Sequence, residues 1–172
     1  RDMVEHFEQL LKFGTCRNYY DILLYHFLAG MTNSKLFDDI ELFGMIPSSD
    51  CSLNNDIFSF MHQTRIIKGK RIPRNLPNGE NILLRISPKQ KAHLSYSTDQ
   101  RVAMGAKEEF KTICINPDFK NKINTLKKSG KFNVCIFDDY MTHGNSFNAV
   151  RNLLQQLGAN KIIFVSLGSF GK

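Results

Sequence analysis

The sequence predicts an α/β domain with a central, mainly parallel sheet flanked by helices. Between residues 132 and 167 a strand, a tight loop, a helix and a second strand follow one another, the order of a βαβ unit with parallel strands and a right-handed crossover. The 172 residues are 42% apolar and 23% charged, a balance typical of a soluble chain long enough to bury one core. We therefore interpret residues 1–172 as a single domain.

The N-terminal third predicts helices followed by a strand. Apolar residues recur at helical spacing from 2 to 30, with Gly14 and Gly30 as breaks. The segment 40–46 is mostly apolar and ends at a proline, which predicts a buried strand that leads into a polar loop. A short helix is expected after that loop, at 57–62.

The remaining elements alternate between strands and loops until the βαβ unit. Residues 68–80 contain two of the five prolines and several basic residues, which favours a loop that forms a small irregular hood. Short strands are expected at 81–86 and within 107–115. The βαβ unit consists of an apolar strand at 132–137, a helical stripe that ends at the C-cap glycine Gly158, and a strand at 162–167.

The charge of the chain indicates anionic partners. Lys and Arg number 23 against 16 Asp and Glu, which gives a formal charge of +7. Because the basic residues look scattered along the sequence, we favour a phosphate-bearing small molecule over a nucleic acid. No apolar run approaches the roughly 18–20 residues that a membrane span needs, so no membrane partner is expected.

The cysteines indicate a reducing compartment. They contain no CxxC pair and lie in apolar surroundings, so we expect reduced thiols and a cytoplasmic location; the four are Cys16, Cys51, Cys114 and Cys135. The chain opens at Arg1 without an initiator methionine, and we interpret it as a piece of a longer polypeptide with a fused or partner domain before Arg1.

The most informative run is the one from Val134 to Ser146. An apolar strand leads to two adjacent acids, Asp138 and Asp139, and a short polar loop with one glycine then opens into a helix. Ligands of open α/β sheets bind outside the carboxyl ends of the strands, and the N–H groups at a helix start suit a phosphate. Two carboxylates repel a phosphate but accept hydrogen bonds from neighbouring sugar hydroxyls. The pattern therefore favours a ligand such as a ribose 5-phosphate, which carries a phosphate at one end and a diol beyond it.

This run resembles the phosphoribosyl pyrophosphate (PRPP) signature of type I phosphoribosyltransferases: four apolar residues, two acids and a Thr/Gly-rich loop. The resemblance implies that Asp138 and Asp139 bind the ribose 2- and 3-hydroxyls and are the catalytic residues. It further implies that a loop binds the 5-phosphate through Thr142, His143, Gly144, Asn145 and Ser146. The alternative for the acid pair is a solvated strand end. The second acid pair, Asp38 and Asp39, lacks a glycine loop and is interpreted as a surface turn or helix cap.

A looser likeness extends upstream. The segment Pro47 to Asp50 resembles the pyrophosphate loop that follows the first strand in this fold, which implies that Ser48 and Ser49 bind pyrophosphate; the alternative for these serines is a helix N-cap. The order Leu84-Arg85, Gln90, Leu94-Ser95 and Arg101 resembles the competence protein F subgroup of these enzymes, and Arg85, Lys91 and Arg101 are candidates to touch the pyrophosphate. A surface ion pair is the alternative for Arg85 and Arg101.

The resemblance implies an enzyme that binds PRPP with Mg²⁺ and transfers its ribosyl group to an unidentified nucleophilic acceptor, or cleaves it. Magnesium is coordinated largely by substrate oxygens and water, so its binding does not require a metal-ligand motif in the sequence. Dimers are common in the family. A non-catalytic module that senses PRPP or a nucleotide is the alternative of a different class, because Tyr140, His143 and Asn145 depart from the usual pattern. A role on nucleic acid, as in DNA uptake or defence, is a third interpretation.

Overall fold

The computed structural model describes residues 2–88, 111–141 and 144–169, and it has the predicted α/β arrangement. The helices are α1 (Asp2–Phe13), α2 (Tyr20–Asn33), α3 (Asn55–Ile67), α4 (Lys120–Lys128) and α5 (Asn145–Gln156). The strands are β1 (Leu42–Met45), β2 (Leu83–Arg85), β3 (Ile113–Ile115), β4 (Asn133–Met141) and β5 (Lys161–Ser169). Between residues 68 and 80 the chain forms neither helix nor strand, as expected for the hood.

Within the described residues, the central sheet has three parallel strands in the order β1-β4-β5. Leu42 lies opposite Val134, and Asn133 lies opposite Lys161, so β4 pairs with a neighbour on both sides along its first half. The β4-α5-β5 connection is the βαβ unit that the sequence predicts. Strands β2 and β3 form a separate antiparallel pair.

Successive residues of β4 enter two different cores, because side chains alternate across a strand. Val134 and Ile136 pack in a cluster that also contains residues of α4, α5, β2 and β3. Cys135 and Phe137 pack in a second cluster, with residues of α2 and α3. The sheet is therefore covered by helices on both faces, which explains why the strand reads as a continuous apolar run.

Two asparagine side chains join the antiparallel pair to the central sheet. The Asn81 amide accepts a hydrogen bond from the Met45 N–H (2.9 Å) and donates one to the Met45 carbonyl (3.0 Å), much as a neighbouring strand would. The fully buried Asn116 donates to the carbonyls of Gly79 and Asn81. These bonds satisfy polar groups that would otherwise be costly to bury, and they fix β2 beside β1.

The structure differs from the sequence-based expectation at several points. Helix α2 continues through Gly30 to Asn33, so the predicted break there is wrong, whereas Gly14 does follow the last residue of α1, with a positive φ of 66°. Strand β4 runs to Met141, four residues further than expected. Helix α4 is a further difference, because no helix is expected there from the sequence. Asp38 and Asp39 do form an exposed turn, as expected.

Two further features concern the helix lengths and the cysteines. No helix in the described ranges is long and apolar enough to cross a bilayer. All four cysteines lie within the described residues, and none forms a disulfide bond. Burial raises the pKa of the Cys135 thiol far above its usual value, which keeps this residue of β4 protonated and unreactive.

Gly44 is required by the close approach of β2 to β1, and this yields a stability prediction. A Cβ at position 44 would lie 2.5 Å from Cγ1 of Ile82 and 3.1 Å from Oδ1 of Asn81. We expect Gly44→Ala to lower the free energy of unfolding by about 1–3 kcal/mol, because the added methyl group overpacks this contact. Urea unfolding measures the loss.

The control for this prediction is Gly30→Ala. Gly30 is exposed within α2, and a Cβ there meets nothing within 4 Å. Alanine should therefore raise the stability by roughly 0.5–1 kcal/mol through helix propensity alone. Equal losses in the two variants would contradict the assignment of Gly44 to a close contact.

Candidate functional site

The carboxyl ends of β1 and β4 lie side by side, and the polar residues of the predicted site follow them. Met45 is opposite Phe137, and the Ile46 N–H donates to the Phe137 carbonyl at 2.8 Å. The acid pair therefore begins one residue beyond the point where β1 ends and its loop departs. This is the edge at which ligands of parallel sheets bind.

Asp138 and Asp139 lie within β4 rather than in the loop after it. Asp138 is opposite Ser166 of β5, and both acids are half-buried. Because strand residues alternate, the two side chains leave on opposite faces of the sheet, Asp139 on the α3 side and Asp138 on the α5 side. This differs from the expectation that both carboxylates emerge together from a strand end.

Asn54 connects Asp139 to the loop after β1. Its side-chain Oδ1 accepts a hydrogen bond from the Ile57 N–H (3.2 Å) and so caps α3, while its Nδ2 donates to Oδ2 of Asp139 (3.2 Å). The other carboxylate oxygen of Asp139 accepts from the Tyr140 N–H at 2.6 Å. Since both ends of the amide are used, its orientation is fixed, and it holds the carboxylate from a neighbouring element.

Sequence reasoning missed Asn54. The available signal was an asparagine placed just before an apolar helical stripe, which is an N-cap pattern. That pattern predicts a helix start and gives no indication of the contact with an acid 85 positions later. The N-cap alternative for Ser48 and Ser49 is wrong, because Asn54 has that role.

The segment with Ser48 and Ser49 is held by Arg85 of β2. The Arg85 guanidinium donates to the Ser48 carbonyl through Nε (2.7 Å), to the Pro47 carbonyl through Nη2 (2.9 Å) and to Oγ1 of Thr112 through Nη1 (2.7 Å). The Ser48 carbonyl also accepts from the Cys51 N–H, which closes a turn. Arg85 is thus close to the predicted pyrophosphate segment, and it contacts backbone oxygens of that segment.

Within the predicted phosphate loop, Gly144 is the N-cap residue of α5. Gly144 has φ 69° and ψ 10°, a left-handed conformation that favours glycine, and it offers the helix no side-chain cap. Asn145 and Ser146 are the first helical residues and are half-buried. The first turn of a helix presents backbone N–H groups and the positive end of its dipole, which suits an anion. Thr142, His143, Lys91 and Arg101 lie outside the described residues.

The carboxylates at this edge could bind Mg²⁺ only together with oxygen atoms of a bound ligand. In the described part of the chain, no group of three or more His, Cys, Asp or Glu side chains could hold a metal. Asp138 and Asp139 offer carboxylate oxygens, the ligands that magnesium prefers, and substrate oxygens and water would complete its shell.

Comparison with known proteins assigns no family to this chain. No protein-family model, no curated protein and no solved structure matches it. The chemistry of the site is therefore inferred from its own residues and their geometry.

Substitutions of Asn54 separate its two hydrogen bonds. Asn54→Ala should lose about 1 kcal/mol of stability with the cap, and Asn54→Ser should keep most of it, since serine also caps helices. Asn54→Asp also retains a cap but places a carboxylate against Asp139. We expect it to be less stable than Asn54→Ser at low ionic strength, with a difference that shrinks in 1 M salt. Urea unfolding at both ionic strengths measures these differences.

The double variant Asn54→Asp with Asp139→Asn is the control. It exchanges the acid and the amide between the two positions, so an amide can again meet a carboxylate, and it should recover most of the loss. If Asn54→Asp and Asn54→Ser have the same stability at every ionic strength, the contact with Asp139 has no energetic role.

Proposed function

We propose that this chain is a type I phosphoribosyltransferase-like protein that binds PRPP with Mg²⁺ and transfers or cleaves its ribosyl group. The observation that carries the proposal is the convergence of three features at one edge of the sheet. The acid pair lies near the carboxyl end of the central strand β4, a left-handed glycine opens α5 shortly after it, and Asn54 ties Asp139 to the loop after β1.

Each feature suits a different part of PRPP. The N-terminal turn of α5 offers N–H donors and a positive dipole end, which fit the 5-phosphate. The carboxylates would accept hydrogen bonds from ribose hydroxyls, Asp138 from the α5 side of the sheet and Asp139 from the α3 side, and their negative charge keeps a phosphate away from them. The segment with Ser48 and Ser49 follows the neighbouring strand and is the candidate for the pyrophosphate. Because the phosphate and the hydroxyls of one ligand need different partners, an anion site and an acid pair can lie next to each other.

The resemblance to the family implies that Arg85 touches the pyrophosphate, but in this proposal Arg85 has a different role. Its guanidinium donates hydrogen bonds to the carbonyls of Pro47 and Ser48, so it holds the backbone of the segment that we assign to the pyrophosphate. Lys91 and Arg101 stay predictions for direct contact with the pyrophosphate. Asn54 is a positioning residue, because it acts through the carboxylate of Asp139.

The residues of this chain act by binding and orientation. Asp138 and Asp139 would hold magnesium together with the ligand, and the ion would supply positive charge that stabilises the departing pyrophosphate. The half-buried acids hold the sugar while charge develops at its reacting carbon, and the helix start holds the 5-phosphate in place. Reaction requires a nucleophilic acceptor, whose contacts the residues of the hood would supply.

Ligand-dependent thermal unfolding tests the proposal. At PRPP 100-fold above its dissociation constant and saturating Mg²⁺, binding should stabilise the protein by about 2.7 kcal/mol. For a chain of this length that corresponds to roughly 5–11 °C in Tm. The double variant Asp138→Asn with Asp139→Asn should lose most of this shift, because it removes the acceptors for the sugar and the metal. The two single variants show what each face of the sheet contributes.

The chain contains its own matched control in Asp38 and Asp39. This pair lies at the opposite edge of the sheet, where Asp39 contacts Asn133 and Lys161, the first residues of β4 and β5. Asp38→Asn with Asp39→Asn removes the same charge and should retain the full ligand-induced shift. Loss of the shift in both double variants, or in neither, would contradict a PRPP site at Asp138 and Asp139.

Turnover separates the transferase from the sensing module. Release of pyrophosphate from PRPP in the presence of an acceptor supports an enzyme. A ligand-induced shift that depends on Asp138 and Asp139, without pyrophosphate release across a broad panel of nitrogenous bases and water, supports a sensor built on the same site.

A further inference from the structure

Two segments of the chain carry ten basic residues and no acid. Residues 65–74 contain five Lys or Arg, and so do residues 120–131. The two segments are 22 residues of the 172 and hold ten of the 23 basic residues of the chain. Such a concentration within acid-free segments would be unusual for a surface with evenly mixed charges.

The fold places these segments against each other. The Lys122 ammonium of α4 donates to the Arg71 carbonyl, and Asp118, just before α4, accepts from the backbone and side chain of Asn78. Ile72 packs on the core cluster to which α4 contributes Ile123. The basic residues therefore belong to one continuous surface, formed by α4 and the first part of the hood.

Three of the ten basic side chains are neutralised within the fold. Arg65 pairs with Glu80, Lys68 with Asp38, and Lys70 with Glu41. The other seven make no ion pair with any residue in the described ranges, and we call them the basic face. They are Arg71, Arg74, Lys120, Lys122, Lys127, Lys128 and Lys131.

The lysines of α4 lie on both flanks and on the outer side of the helix. Ile123 and Leu126 are buried, and Lys128 projects from the opposite side of the helix. Lys120 and Lys127 lie on one flank, and Lys122 lies on the other, next to Arg71. Burial lowers the pKa of Lys122, with smaller contributions in the same direction from Arg65 and Lys70, while Glu41 opposes them.

We propose that the basic face binds the phosphate backbone of duplex nucleic acid, without reading its sequence. Lysine and arginine side chains at this density match the regular array of phosphates along a duplex. The last turn of α4 and Lys131 lie near the amino ends of the central strands, because α4 leads directly into β4, whereas the candidate PRPP site lies at their carboxyl ends. The inference is independent of the proposed function.

The composition of α4, which carries four of the seven residues of the basic face, favours nucleic acid over a membrane. The exposed residues of α4 are lysine, asparagine and threonine, with no apolar side chain that could enter a bilayer. Helices that lie on membranes combine their basic face with exposed Trp, Phe or Leu. No exposed aromatic ring occurs on α4 either, which favours contact with a backbone over stacking on unpaired bases.

The test is the salt dependence of binding to a labelled 20-base-pair duplex, followed by fluorescence anisotropy. If all seven cations neutralise phosphates, affinity should fall roughly 10³- to 10⁴-fold between 50 and 200 mM salt. The variant Lys120→Gln, Lys127→Gln, Lys128→Gln should reduce the slope of log K against log salt by about 2.7, at about 0.9 for each contact. Two duplexes of unrelated sequence should bind equally.

The control removes three exposed cations elsewhere: Lys35→Gln, Lys111→Gln, Arg151→Gln. It has the same net charge as the first variant and should retain the wild-type slope. Equal slopes in the two triple variants would show that net charge alone drives binding and would overturn the proposal. Binding to phosphatidylserine vesicles that is as tight as binding to the duplex, and equally dependent on the three lysines, would overturn it in favour of a membrane surface.

Discussion

The parallel pairing of β4 between β1 and β5 is the constraint on which the rest of the structure depends. It brings the loop after β1 and the acid pair of β4 to one edge, and it assigns Val134 and Ile136 to one core and Cys135 and Phe137 to the other. A slip of one residue would exchange these faces and would move Asp139 away from Asn54. Core packing and site geometry therefore depend on the same register.

Asparagine amides then connect elements that the sheet alone leaves apart. Asn81 bonds both backbone groups of Met45, Asn116 bonds two carbonyls of the segment around β2, and Asn54 joins the start of α3 to Asp139. An amide has a donor and an acceptor at fixed separation, so it can satisfy two partners at once without adding charge. Each of these residues lies where backbone from different elements meets inside the protein.

The sequence predicts the elements whose signal is local. The βαβ unit was predicted because its strands are continuous apolar runs and its helix has a clear apolar stripe that ends at Gly158. Helix α4 was missed because only Ile123 and Leu126 point inward among four lysines and other polar residues, so its periodicity is weak. The break expected at Gly30 was wrong because tertiary packing of α2 outweighs the modest helix penalty of a glycine.

Long-range contacts explain the rest of what the sequence could not predict. Asp138 and Asp139 were identified as candidates from their motif, but their placement on opposite faces follows from the extension of β4 to Met141 along β5. The link from Asn54 to Asp139 spans 85 positions, and no local pattern indicates it. The two acid-free basic segments are far apart in the sequence, and the packing of the hood against α4 brings seven of their basic residues to one surface.

The grip of Arg85 on the loop after β1 has a consequence for the direction of peptide groups. In a trans peptide the C=O and the following N–H point to opposite sides. Because the carbonyls of Pro47 and Ser48 turn toward the guanidinium, the N–H groups of Ser48 and Ser49 turn away from it. Arg85 can thus direct the N–H groups of the serine loop toward an anion on the opposite side of the backbone, without contacting that anion itself.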